Sequence, residues 1–487
     1  MKKILSLTFI LSTLLSFSQT DKDLAEQSVD QNIIKSHIGF LASDELEGRD
    51  TPSRGLKVAA KYLESRFIEY GVQMAPGMES YFQPVAMKKV SPANTGTLIL
   101  GNSEYKFQDD FFMLEGDNSN ISGDFVFVNY GSDEDLEKTE IEGKIVVAIC
   151  GDGESDSPQE WFGQSAEKRA KVSELGGLAL VELYNSPQIP WNFLVRYFSG
   201  DQVVLDEGGE DEKTMTHLWM NRSGEDFNAS GEKNASISIS GSNIEKFNSQ
   251  NIVGFVEGSD NKLKDEIIVY SAHYDHVGIG QADANGDSIY NGSRDNAVGT
   301  VTVLSAAQNF AKTPTKRSAM FVLFTGEEKG LLGSKAFVDN SPVDLSKIVY
   351  CFNSDNGGYN DTSKATIIGL TRTTAEEMII EACEAFGLDA IEDPAPEQGL
   401  FDRSDNVRFA AKGIPAPTFS MGFTAFDDEI TKYYHQAGDN PNTLDYVYLE
   451  KFFRSYVYAC RMIGNAKKSP FWIKGDKYYE AGKELYK

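Results

Sequence analysis

The sequence is poor in the groups from which thiolate and redox sites are built. Its 487 residues include only 4 cysteines, and no two of them form a CxxC pair. That excludes a zinc site of the finger or ribbon kind. Cys150, Cys351, Cys383 and Cys460 stand in apolar runs such as Tyr350–Cys351–Phe352, so they are either paired in an exported chain or buried as free thiols. Cations are scarce too: 46 Lys and Arg face 73 Asp and Glu, a net charge of -27. Such a surface repels phosphate backbones and anionic lipid, and nucleic acid is not an expected partner. No apolar run is long enough to predict a membrane span. The run Ile4 to Phe17 follows Lys2 and Lys3 and ends at Ser18–Gln19–Thr20. This is the pattern of a cleaved export signal over residues 1–18, and it predicts a secreted or periplasmic protein. Nothing in the sequence speaks to oligomeric state.

What is present describes an ordinary globular chain, 40% hydrophobic and 24% charged, too long for one core and therefore built as two domains or one with a large insert. Residues 19–91 read as helices opening the main domain, with Val58, Ala59, Tyr62, Leu63 and Phe67 at helical spacing. Across 92–245 short strands such as Lys144–Ile149 alternate with Gly, Asp and Ser turns, the texture of a β-rich insert. The segments Gly143–Val146 and Lys168–Asn185 in it resemble the protease-associated domain. From 246 to 487 strands at Ile267–Tyr270, Met320–Phe324 and Ile348–Phe352 alternate with helices. That predicts an α/β fold with a mostly parallel central sheet flanked by helices.

Functional groups in such sheets collect beyond the carboxyl ends of the strands. Four clusters fall there: His273–Tyr274–Asp275–His276, Asp295–Asn296, Glu327–Glu328 and Asn353–Ser354–Asp355. A fifth, Tyr434–His435–Gln436, lies in a C-terminal loop. A carboxylate after a strand is by itself most often a helix cap, and Asp295 fits that description. Several carboxylates at one sheet edge would repel unless cations held them together. Three of the chain's 5 histidines lie in these clusters, while His37 and His217 read as structural or surface residues. His276 is either a group behind the ligands or simply packed. Asp283–Asp287 opens like a calcium loop but lacks the later bidentate Glu, and reads as a turn.

The ordered set His273-x-Asp275, Asp295–Asn296, Glu327–Glu328, Asp355 and His435 resembles the co-catalytic di-zinc aminopeptidases of the aminopeptidase Y type. That family also holds glutamate carboxypeptidase and the inactive transferrin receptor. The resemblance implies a zinc-exopeptidase (phosphorylase/hydrolase-like) fold with a protease-associated insert, two zinc ions and peptide substrates. It implies His273 and Glu328 on one zinc, Asp355 and His435 on the other, and Asp295 bridging with a cis bond to Asn296. Glu327 would then be the general base and Asp275 the group orienting His273. Asn353, Arg403 and Tyr434 are candidate substrate contacts, with an ion pair to a nearby Asp as the alternative for Arg403. His276, Gln436 and Val298 depart from the common family pattern without removing a ligand. An aminopeptidase is the leading reading, with a carboxypeptidase or dipeptidase, or a receptor-like binding protein, as the alternatives.

Overall fold

The computed structural model describes residues 19–487 apart from 156, 187, 209–213, 226 and 228–232; the expected export signal at 1–18 lies outside the described residues. The chain forms two compact units, one from 19–85 with Asn248–Lys487 and one from Ala86–Phe247.

In the first unit seven strands carry the argument: β1 (Asn243–Val256), β2 (Ile267–His273), β3 (Ser318–Phe324), β4 (Ile348–Ser354), β5 (Lys364–Ile368), β6 (Asp389–Glu392) and β7 (Thr418–Met421). Their order is β6-β5-β7-β4-β2-β3-β1. The central strands β7, β4, β2 and β3 are mutually parallel, while β1 and β5 join them antiparallel. Every residue of β2, β3 and β4 is buried, as expected where helices cover both faces of a parallel sheet. The strand period of two divides them cleanly. Ile268, Tyr270 and Ala272 of β2, with Ala319, Phe321 and Leu323 of β3, enter one core. Ile267 and Val269, with Met320, Val322 and Phe324, enter the other.

Helices α1 (Arg54–Tyr70), α2 (Gly299–Lys312) and α3 (Tyr446–Asn465) close the first face with Leu63, Leu304 and Phe452. Ser53 caps α1 by accepting from Leu56 N–H, and Gly71 ends it in the left-handed region. Among the described residues no helix is long and apolar enough to cross a membrane.

The second unit holds an eight-stranded sheet whose middle strands, Ser119–Phe127, Lys144–Ile149, Ala179–Tyr184 and Thr216–Asn221, run parallel. Its core encloses a buried ion pair between Lys168 and Glu182. Glu182 is fully buried and accepts from Ser165, from Lys168 Nζ at 2.6 Å, His217 Nε2 at 2.8 Å and Trp219 Nε1 at 3.0 Å. Burial alone would raise its pKa, and the bonds from His217 and Lys168 bring it down to about 2. His217 is thus structural. All four cysteines are free and buried, so the disulfide alternative fails.

His37 is structural as well, held between Tyr62 OH at 2.7 Å from Nδ1 and Tyr70 OH at 2.9 Å from Nε2. Burial, with Arg66 nearby, lowers its pKa from 6.5 to about 4. The native state therefore resists protonating it. The stability it contributes is complete above pH 6.5 and is lost as pH falls toward 4. Urea unfolding of the chain and of His37→Gln between pH 7 and pH 4 checks this. The variant should lose roughly 2 kcal/mol less over that interval.

Candidate metal centre

Strand register builds the centre. Ser271 of β2 lies opposite Asn353 of β4, and His273 lies opposite Phe324 of β3. Two residues further along the β2–β4 pair, His273 is level with Asp355. Glu327 and Glu328 leave the end of β3 in a turn whose Glu327 carbonyl accepts from Gly330 and Leu331 N–H. Asp295 and Asn296 precede α2 across a cis peptide, and His435 arrives on a loop after the short helix Asp428–Thr431, with φ at +53°.

Three imidazoles and four carboxylates meet here in two groups: His273, Glu327 and Asp355, and His276, Asp295, Glu328 and His435. His273 Nε2 is 3.2 Å from Asp355 Oδ1 and 3.3 Å from Asp295 Oδ1. His435 Nε2 is 3.0 Å from Asp295 Oδ2 and 3.2 Å from Glu328 Oε2. Asp295 thus faces one group with each carboxylate oxygen. The pairing of the others corrects the expectation. His273 goes with Asp355 and Glu328 goes with His435, because adjacent parallel strands set the first pair level while the turn after β3 carries Glu328 toward the C-terminal loop.

The electrostatics fit divalent cations. Burial would lower the His435 pKa, yet the bonds to Asp295 and Glu328 raise it to about 10. Burial would likewise raise Glu328, and Asp295 adds to that, but the imidazoles of His276 and His435 hold it at about 2. Burial pushes Glu327 well above the ordinary carboxylate range, helped by Asp355, Asp405 and Glu328. The carboxylates draw positive charge onto the imidazoles, and bound cations supply that charge while releasing the protons. Mixed nitrogen and oxygen donors suit zinc.

Other expectations need revision. His273 Nδ1 lies 3.2 Å from the Asp275 main-chain carbonyl and 3.8 Å from the Asp275 carboxylate. The carboxylate also accepts from Glu327 N–H at 3.2 Å and from Thr51 Oγ1 at 3.3 Å, so it steadies the turn that carries Glu327. Asn353 is fully buried: it accepts from Ser271 Oγ at 2.8 Å and donates to Ser404 Oγ at 2.9 Å. Lying inside β4, it faces the core and not substrate. Arg403 and Tyr434 do line the cleft over the centre, with Ile368, Leu400 and Phe426. Arg403 Nη2 lies 3.5 Å from Tyr434 OH, while Asp402 is taken by Lys477. The Asp283 segment is an Asx turn, Oδ1 accepting from Asn285 and Asp287 N–H.

Sequence reasoning missed the groups that hold the loops. Arg49 is buried and gives its bonds to main-chain carbonyls. It donates to Tyr274 O at 2.9 Å, Asn291 O at 2.7 Å, Gly292 O at 3.0 Å and Leu41 O. The segments bearing His273–His276 and Asp295 are thereby tied together. Arg294 Nη1 pairs with Asp439 Oδ1 at 2.8 Å, and Asp439 Oδ2 accepts from Arg294 N–H at 2.8 Å, joining the Asp295 loop to the His435 loop. A Cβ on Gly299 would meet Asn296 Oδ1 at 2.2 Å and Ser354 O at 2.3 Å, so only glycine lets α2 begin this close to the centre. No spacing rule marks a lone arginine for such work.

A buried donor set of this composition, at the carboxyl edge of a parallel sheet, defines a site for divalent cations in an α/β protein. Residues 251–459 match the family described as Peptidase family M28. Aminopeptidase YwaD of Bacillus subtilis (strain 168) is 26% identical over 283 residues, 56% of this chain and 54% of the relative. A probable leucine aminopeptidase of Arthroderma otae is 28% identical over 189 residues, 37% of this chain and 49% of the relative. The chain therefore spans about half the length of the curated relatives it matches. The solved structure of an aminopeptidase from Aneurinibacillus sp. strain AM-1 aligns over 91% of this chain and 95% of its own, with TM-score 0.57 and 19% identity. That likeness is one of fold.

Arg49→Met should leave three or more carbonyls unsatisfied and cost at least about 3 kcal/mol. Arg49→Lys should recover less than half, since one ammonium cannot reach the same carbonyls. Urea unfolding in chelator checks both, and the loss should persist without any cation bound.

Proposed function

We propose that the chain is an exported zinc exopeptidase that removes N-terminal residues from peptides, using two cations bridged by Asp295. The observation that carries the reading is the Asp295 carboxylate, with one oxygen 3.3 Å from His273 Nε2 and the other 3.0 Å from His435 Nε2. The aminopeptidase names of the relatives support the reaction class, and residues 1–18 carry the export pattern. The unit Ala86–Phe247 is taken as the protease-associated insert that its sequence resembles.

His273, Asp355 and one oxygen of Asp295 would hold one zinc; His435, Glu328 and the other oxygen would hold the second. When bound, the pair supplies Lewis acidity that acidifies water and polarises the scissile carbonyl. Glu327 faces the same cleft and accepts the proton of the attacking water. It then returns that proton to the leaving amine. Asp275 fixes the Glu327 backbone through the bond to its N–H, so the base stays aimed at the cleft. Ile368, Leu400, Phe426 and Tyr434 offer an apolar wall suited to an uncharged side chain.

One observation favours a second reading. Among the described residues Arg403 has no carboxylate partner, and it stands at the cleft, where it would meet the terminal carboxylate of a very short peptide. A dipeptidase would use it so.

Hydrolysis of free-amine, N-blocked and C-amidated peptides separates these readings. Free-amine substrates of any length should be cut and N-blocked ones spared. Cleavage confined to dipeptides with a free carboxylate, with KM raised by Arg403→Met, would favour the dipeptidase. Glu327→Gln should retain its zinc and lose about 10²–10⁴-fold in kcat; loss of zinc in that variant would make Glu327 a ligand instead.

A further inference from the structure

His276 has no place in the ligand set that the resemblance implied, yet it is fully buried beside the carboxylates that face His435. Its Nδ1 is 2.9 Å from Glu328 Oε1 and 3.9 Å from Asp295 Oδ2. The ring meets His435 edge to face, with centroids 5.4 Å apart. One donor atom from each of His276, Asp295, Glu328 and His435 lies within 4.8 Å of all the others. Tetrahedral zinc with bonds of about 2.0–2.2 Å separates its donors by roughly 3.3–3.6 Å. The distances from His276 Nδ1, 2.9 Å to Glu328 Oε1 and 3.9 Å to Asp295 Oδ2, bracket that separation.

The backbone is arranged to seat this ring. Gly292 sits at φ +56°, and a Cβ there would fall 2.5 Å from His276 Cγ and Cδ2. His276 N–H donates to Arg49 O at 3.3 Å, fixing the ring's origin on the same clasp that ties the Asp295 segment. Nε2 is buried with no hydrogen-bond partner, which is a poor arrangement for an imidazole retained only for packing. The polar contact the ring does make points into the cation site.

We infer that His276 is a ligand: its Nδ1 completes a set of two imidazoles and two carboxylates around the cation held by Glu328 and His435. The inference rests on the two-cation reading above. It makes the two positions unequal. The His435 position is closed by four side chains, as structural sites are, while the His273–Asp355 position keeps room for water and substrate beside Glu327.

Cobalt titration of the metal-free full chain, by calorimetry and visible absorption, tests this. The unaltered chain should take one Co²⁺ tightly with a tetrahedral spectrum and a second more weakly. His276→Ser should weaken the tight step by more than ~100-fold and alter its spectrum, leaving the weaker step in place. His276→Asn keeps an amide donor for Glu328 but is a poor ligand, so it should show the same loss; it decides the matter if the Ser variant does not fold. A tight step weakened less than ~100-fold in the Asn variant, with its spectrum unaltered, would mark an outer hydrogen bond and overturn the inference. Uptake of fewer than two ions by the unaltered chain would instead defeat the two-cation reading on which it rests.

Discussion

One buried guanidinium organises the chemistry of this molecule. Arg49 spends its donors on the carbonyls of Tyr274, Asn291, Gly292 and Leu41, and makes no bond to the carboxylates a few residues away. Burial lowers its pKa to about 10, against the pull of Asp275, Asp295, Asp439 and Glu328. It therefore adds a permanent positive charge beneath a cluster of acids while fixing the two segments that carry His273 and Asp295. The Arg294–Asp439 pair does the same for the loop that carries His435. Ligands that come from strand ends, a helix start and a remote loop need such ties, because carboxylates forced together would otherwise spread apart.

Much of the fold was legible because it depends on runs of residues. Uninterrupted apolar stretches such as Ile267–Tyr270 and Ala319–Phe324 suit a sheet covered on both faces. The residues of the centre were legible for a related reason: His273, Asp295, Glu328, Asp355 and His435 stand at ends and loops, where chemistry gathers. Register was not legible. Nothing in the sequence says that His273 is level with Asp355, so the expected pairing with Glu328 was wrong. Asn353 was misread for want of the same knowledge, since a polar residue inside a strand looks identical whether it faces a cleft or a core.

Arg49 and His276 mark what sequence reading cannot reach. Arg49 is a single residue in a polar segment with no partner at a recognisable spacing, and His276 stands in the first cluster with nothing in the sequence to decide its role. Their roles arise from contacts over long stretches of chain, Arg49 with Asn291 and His276 with Glu328. Polar groups buried this completely are costly unless each is matched, and that cost is what the surrounding carbonyls and carboxylates offset.

The central claim is that Asp295 bridges two cations, one beside His273 and Asp355 and the other beside Glu328 and His435. Anomalous diffraction at the zinc edge, from crystals of the zinc-loaded chain, tests it most directly. The account predicts two peaks flanking the Asp295 carboxylate, one next to each of these pairs. A single peak, or two peaks that do not share Asp295, would contradict it.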